Sequence, residues 1–168
     1  MKRLLNKKGF SFVEMIAAIA VLALMGVGLT TGLGAATDTY TDMMFTANAQ
    51  VLEDSINTAF ANTLRYASDV KDNAHFASDE YPSMLLGGHV ECNSQGRIML
   101  VADDDTVTEQ SSWLLSDKTY TGYKVTDFSL TYASSTGMFN CTYRITDGSH
   151  AKTDCGFVYR NIEGSRSN

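Results

Sequence analysis

The chain has 168 residues, 44% of them apolar, enough for one domain with a core of its own. Its formal charge is −6, and all 19 acids follow Gly9 while four of the 13 bases precede it, so the chain beyond Gly9 has nine bases against 19 acids, a balance of −10. Those bases, Arg65, Lys71, Arg97, Lys118, Lys124, Arg144, Lys152, Arg160 and Arg166, form no run, which argues against direct nucleic-acid binding through phosphate neutralisation.

Residues 1–9 form a basic leader carrying Lys2, Arg3, Lys7 and Lys8 and no acid. From Phe10 to Leu33 the one ionisable side chain is Glu14, and at 1.5 Å per residue this run covers about 36 Å, enough for a hydrocarbon core of about 30 Å. Residues 10–33 therefore read as a transmembrane helix in membrane lipid. The positive leader predicts a cytoplasmic N-terminus, which sends the remainder outside. A secretory signal would have a shorter apolar segment and a small-residue cleavage site, and no A-x-A precedes the polar region.

Residues 34–70 keep a helical period through Tyr40, Met43, Met44, Ala47, Val51, Leu52, Ile56, Ala59, Phe60, Leu64 and Ala67. No proline occurs before Pro82, so one long helix is expected, with two helices broken among Gly26, Gly28, Gly32 and Gly34 as the alternative. Residues 71–168 read as an extracytoplasmic head. A polar loop from Val70 ends at Pro82, and antiparallel strands follow in "MLLGGHVEC", "GRIMLVA", "YKVTDFSLTYA", "MFNCTYRIT" and "KTDCGFVYRN". Trp113 to Leu115 is either a short strand or an anchor packing on the helix. The expected fold class is α+β, a long N-terminal helix packed on a C-terminal antiparallel sheet.

The basic leader ending in Gly9, then "FSFVE", then the apolar helix, closely resembles the class III signal of type IV prepilins and pseudopilins. Gly9, Phe10, Ser11, Val13 and Glu14 match that pattern, and Phe12 stands where leucine is commoner. In this family a membrane prepilin peptidase cuts between Gly9 and Phe10 and N-methylates Phe10; a residue without Cβ leaves the scissile bond accessible. The resemblance assigns Glu14 to assembly. A carboxylate near the middle of a lipid-embedded helix costs about 2.5–3.5 kcal/mol, less towards the end, and in the family its partner is the new N-terminal amine of a neighbour or of its own chain. A glutamate that snorkels to the interface without a partner is the structural alternative. Where many major pilins carry a kinking proline, this chain has Thr30 and Thr31.

The resemblance implies a filament subunit working with identical or related pilins, an assembly ATPase and a platform protein, in adhesion, motility, DNA uptake or secretion. The competing reading is a signal-anchored extracytoplasmic binding protein that never polymerises.

Matching the apolar faces of "MFNCTYRITDGSHAKTDCGFVYR" calls for an odd-numbered loop such as Asp147 to Ser149, which sets Cys141 opposite Cys155. That register offers a disulfide like the C-terminal one of many pilins; two reduced, buried thiols are the alternative. Cys92 reads as a small core residue. Asp103, Asp104 and Asp105, with Glu109, have oxygen ligands suited to calcium, which some pseudopilins hold in a head loop, but they lack EF-hand spacing, and three acids between strands are usually a solvated turn, so no metal site is expected. His75, His89 and His150 are isolated in sequence, and no catalytic motif occurs, so neither an enzyme nor a cofactor is expected.

Overall fold

The computed structural model describes residues 11–71, 73–106 and 110–161. One helix, α1, runs from Phe12 to Arg65 without a break at the glycines. The remaining elements are a 3-10 turn at Pro82–Met84, β1 (Gly88–Cys92), β2 (Ile98–Ala102), β3 (Ser111–Trp113), a short α2 (Asp117–Tyr120), β4 (Lys124–Ala133), β5 (Met138–Thr146) and β6 (Ala151–Arg160). By its contacts the chain divides into two units, Met1–Met43 and Met44–Asn168.

In the first unit, the described residues up to Met43 are exposed along α1, and the apolar window that is long enough to cross a membrane has none of its residues buried. The second unit holds the core. Here α1 buries Phe45, Ala49, Leu52, Ile56, Phe60 and Leu64, a three- and four-residue spacing that keeps one face inward. The inward stripe differs from the expected one at its start. Tyr40, Met43, Met44 and Val51 are exposed, because Phe45 and Ala49 lead the stripe.

The strands form two antiparallel three-stranded meanders, β1-β2-β3 and β4-β5-β6, in place of one sheet. In β5, Phe139, Cys141, Tyr143 and Ile145 are buried and alternate with outward Met138, Asn140, Thr142 and Arg144, the period that a half-buried strand requires. Phe60 of α1 sits 5.0 Å from Phe157 and 6.1 Å from Phe128, ring centre to ring centre, which seats the helix on the second meander. Polar contacts flank this seam. The Tyr143 hydroxyl donates to Asn57 Oδ1 at 3.1 Å, and Lys152 Nζ reaches Glu53 Oε2 at 2.5 Å as well as Gln50 Oε1. At the far end of β6, buried Asn161 donates through Nδ2 to the carbonyl of Ala67 at 2.9 Å.

The two meanders meet where the β1–β2 turn touches β4. Asn93 Oδ1 accepts from the amides of Gln95 and Arg97, and Gly96 has a left-handed φ of +75°. A Cβ on Gly96 would lie 2.7 Å from the Cβ of Lys124, so the close approach excludes a side chain; the Gly96 carbonyl then accepts from Val125 N at 3.1 Å. Arg97 extends the junction, donating to Asp117 at 2.6 Å and to the Tyr123 carbonyl at 2.8 Å while its guanidinium lies 4.4 Å from the Tyr120 ring centre. Tyr120 is buried, and its hydroxyl accepts from Ile98 N at 3.0 Å. Trp113 lies in β3 and is half exposed, so it is a strand residue and not a buried anchor.

The β5–β6 hairpin also differs from expectation. Thr146 pairs with Ala151 across a four-residue loop, and a register shift between Tyr143 and Ile145 adds one residue to β6, with Asp154 in the left-handed region at φ 62°. The even loop and the bulge together restore the matched apolar faces, but two residues away from the expected register. Cys141 stands opposite Phe157 and Cys155 opposite Tyr143.

If the α1 stripe carries the head, Phe60→Ala should lower the unfolding free energy by about 3–5 kcal/mol, while exposed Val51→Ala stays within about 0.5 kcal/mol. Urea titration of the full chain in detergent micelles reads both; equal costs would show that the stripe is not what holds the helix.

Candidate functional site

The N-terminal helix begins with a polar contact that its own sequence supplies. Ser11 precedes the first helical residue, and its amide donates to Glu14 Oε2 at 2.9 Å, while its carbonyl accepts from Met15 N at 3.1 Å. This is the glutamate half of a capping box: an acid at the third helical position reaches back to the residue before the helix. The amides of a first turn have no helical partners, so a carboxylate there is favoured both by the hydrogen bond and by the helix dipole. The Ser11-x-x-Glu14 spacing carries that signal in the sequence, whereas the membrane argument treats Glu14 only as a charge in need of a partner. Gly9 and Phe10 lie outside the described residues.

Beyond the cap, Phe12, Val13, Met15, Ile16, Ile19, Val21, Leu22, Leu24 and Met25 are all exposed. A helix that is apolar around its whole circumference is expected in lipid or among other helices. Gly26, Gly28, Gly32 and Gly34 have nothing within 4 Å of where a Cβ would stand, so no contact inside the described chain accounts for their small size. Thr30 and Thr31 donate back to the carbonyls of Val27 and Gly28, and Thr37, Thr39 and Thr41 do the same to Leu33, Ala35 and Thr37. Back-bonding of this kind satisfies hydroxyls within apolar surroundings and bends helices slightly.

The family described as the prokaryotic N-terminal methylation motif matches residues 4–30. The chain carries a class III prepilin signal. That signal is characteristic of type IV pilins and pseudopilins, and it implies processing by prepilin peptidase and assembly with other pilin subunits into filaments. It points to a structural subunit and, with the apolar helix behind it, to membrane anchoring. The long helix followed by antiparallel sheets is a pilin-like layout. Neither the curated proteins nor the solved structures give a match.

In the head of this pilin-like chain, Cys92, Cys141 and Cys155 are free thiols. The expected facing of Cys141 and Cys155 is replaced by a diagonal relation, since each stands opposite an aromatic residue. Diagonal neighbours on a sheet face lie about 7–8 Å apart, beyond the Cβ separation of about 3.5–4.5 Å that a disulfide needs. Both sulfurs are buried, and burial pushes the Cys141 thiol up to about 12.

Of the three acids weighed as a calcium site, Asp103 and Asp104 have different partners. Asp103 receives His75 Nδ1 at 2.7 Å and His89 Nδ1 at 3.1 Å, whereas Asp104 Oδ1 accepts from the amide of Thr106 at 2.8 Å as an exposed turn residue. Burial opposes ionisation of Asp103, but the hydrogen bonds from His75 and His89 outweigh it and hold its carboxyl below the usual range. Glu109 lies outside the described residues. His75 and His89, isolated in sequence, are neighbours in space with ring centres 5.0 Å apart. No local spacing announces that pair; the signal is the antiparallel bridge between Phe76 and Gly88, which sets the two histidines across from each other.

The raised Cys141 thiol gives a pH prediction. A group whose folded pKa exceeds its ordinary value of 9.0 contributes stability that is complete below that value and is lost as pH rises towards about 12. Folded protein should therefore leave Cys141 unalkylated by iodoacetamide at pH 8.5, and the Cys141→Ser protein should lose less stability than wild type between pH 9 and pH 11. Rapid alkylation of Cys141 without unfolding would contradict its burial.

Proposed function

We propose that this chain is a structural subunit of a type IV pilus or pseudopilus-like filament, cut between Gly9 and Phe10, methylated at Phe10 and polymerised through its N-terminal helix. The observation that carries the reading is the prepilin signal running directly into a membrane-length, wholly exposed apolar helix that continues into a folded head. The leader remains in the cytoplasm and the head lies outside, with the membrane as a reservoir of subunits; an assembly ATPase and a platform protein draw them into the fibre.

In this reading Glu14 has two successive partners. Before cutting, its carboxylate accepts from the Ser11 amide. After cutting, the Phe10 amine supplies a cation, and pairing with that amine on a neighbouring subunit sets the axial stagger between helices, because few staggers bring the two charges together. The four glycines fit the same picture: small residues let helices approach closely in lipid, and nothing inside the chain uses them. In the second unit, exposed Met44 and Val51 suit contact with a second copy.

Intact mass and N-terminal sequencing of protein from its native membrane test the processing. The expected product begins with N-methyl-Phe10; protein that begins at unmodified Met1 in cells with an active prepilin peptidase would overturn the filament reading in favour of a signal-anchored binding protein.

Assembly has its own test. Losing one partner of a buried charge pair costs about 3–5 kcal/mol, so Glu14→Ala should be cut normally yet fall by more than about tenfold in sheared filaments. Normal incorporation would show that the charge pair is dispensable.

A further inference from the structure

We propose that His75, His89 and Asp103 form a binding site for a divalent transition-metal ion of the zinc class. Three backbone segments bring these residues together. The bridge between Phe76 and Gly88 sets His75 across from His89, and the pairing of β1 with β2 places His89 beside Val101. Gly87, at φ +104°, turns the chain so that its carbonyl accepts from the amide of Asp103 at 3.1 Å. A left-handed turn favours glycine here, and it delivers the Asp103 carboxylate to the two imidazoles.

The donor atoms converge. One ligand atom from each residue lies within 4.8 Å of the others, with His75 Nδ1 and His89 Nδ1 at 2.7 Å and 3.1 Å from the two oxygens of Asp103. Zinc bonds nitrogen and oxygen at about 2.0–2.2 Å, which places tetrahedral ligands about 3.3–3.6 Å apart. The two nitrogen–oxygen separations are shorter than that and all three donor atoms lie within 4.8 Å, so the side chains must open slightly, by small rotations, to make room for the ion. The ionised carboxylate has no proton to give, so both Nδ1 atoms carry hydrogen in the metal-free site. On metal binding each neutral imidazole carries its proton on Nε2 instead, which frees the Nδ1 lone pair.

Ligand chemistry selects the ion. Two imidazoles and one carboxylate suit zinc and its neighbours in the transition series, whereas calcium takes six to eight oxygens and is poorly served by nitrogen. The three side chains are 34%, 35% and 32% exposed, so the ion can enter from solvent and keep one position for water. Among the described residues this is the one group of three such side chains drawn together. A bound ion would tie the connection before Pro82 to the edge of β1 and to the end of β2.

The test uses the full chain in detergent micelles, stripped of metal and titrated with zinc chloride against a chromophoric chelator. One equivalent should bind per chain. His75→Ala and His89→Ala should each weaken binding by about 100-fold or more, beyond the 10–100-fold that loss of an outer partner costs, while Asp104→Asn should match wild type. A second measurement needs no variant: zinc, by occupying a nitrogen of both rings, should slow modification of His75 and His89 by diethyl pyrocarbonate at least about tenfold and leave His150 unchanged. Absence of stoichiometric binding, binding that survives both alanine variants, or equal modification with and without zinc would reduce the cluster to two histidines hydrogen-bonded to an aspartate.

Discussion

The head depends on one packing constraint: the stripe Phe45–Ala49–Leu52–Ile56–Phe60–Leu64 must be kept from water, and the β4–β6 face is what covers it. Burying a large apolar side chain contributes about 1.5–3 kcal/mol, so this row outweighs any polar contact in the unit. The contacts at its margins then determine how the helix is seated. Tyr143 on Asn57 and Lys152 on Glu53 lie along the helix and Asn161 on the Ala67 carbonyl lies just past its end, and a slip by one residue would break them together. Buried polar groups of this kind add modest net stability but are costly to leave unmatched, and so they favour one arrangement over its neighbours.

Charge is handled locally against an acidic background. Arg97, Arg144 and Lys152 each face an aspartate or glutamate, and Lys152 with Glu53 forms the least exposed of these pairs. Arg97 has a further role, since it bonds the Tyr123 carbonyl and covers the Tyr120 ring, joining the first meander to the start of the second. Exposed pairs such as Arg144 with Asp127 contribute little. The remaining excess of acids leaves the head with a negative surface, which disfavours non-specific association between copies.

Much of this was legible in the sequence for physical reasons. The alternation in "MFNCTYRIT" placed β5 correctly, and the absence of proline before residue 82 agreed with one unbroken helix. The prepilin signal was legible because its charge, glycine, aromatic residues and acid fall at fixed offsets. Features that rest on non-local pairing were hidden. A one-residue bulge at Asp154 shifted the hairpin register, and such a bulge leaves no mark on apolar periodicity. The junction of the two meanders turns on the Gly96–Val125 contact, and the His75–His89 neighbourhood on a bridge from a segment that reads as loop. The inward helix stripe was displaced because Tyr40, Met43, Met44 and Val51 present a second apolar face that periodicity alone cannot separate from the first.

The cap at Glu14 has a consequence for selectivity. A carboxylate already held by the Ser11 amide is not an empty socket, and a cation that pairs with it must compete with that hydrogen bond. The exchange therefore has a threshold. A cation that meets the helix end loosely gains less from the carboxylate than one held in place, and so competes less well with the amide. The Ser11–Glu14 contact thus both caps the first turn and sets what a cation must offer to replace it.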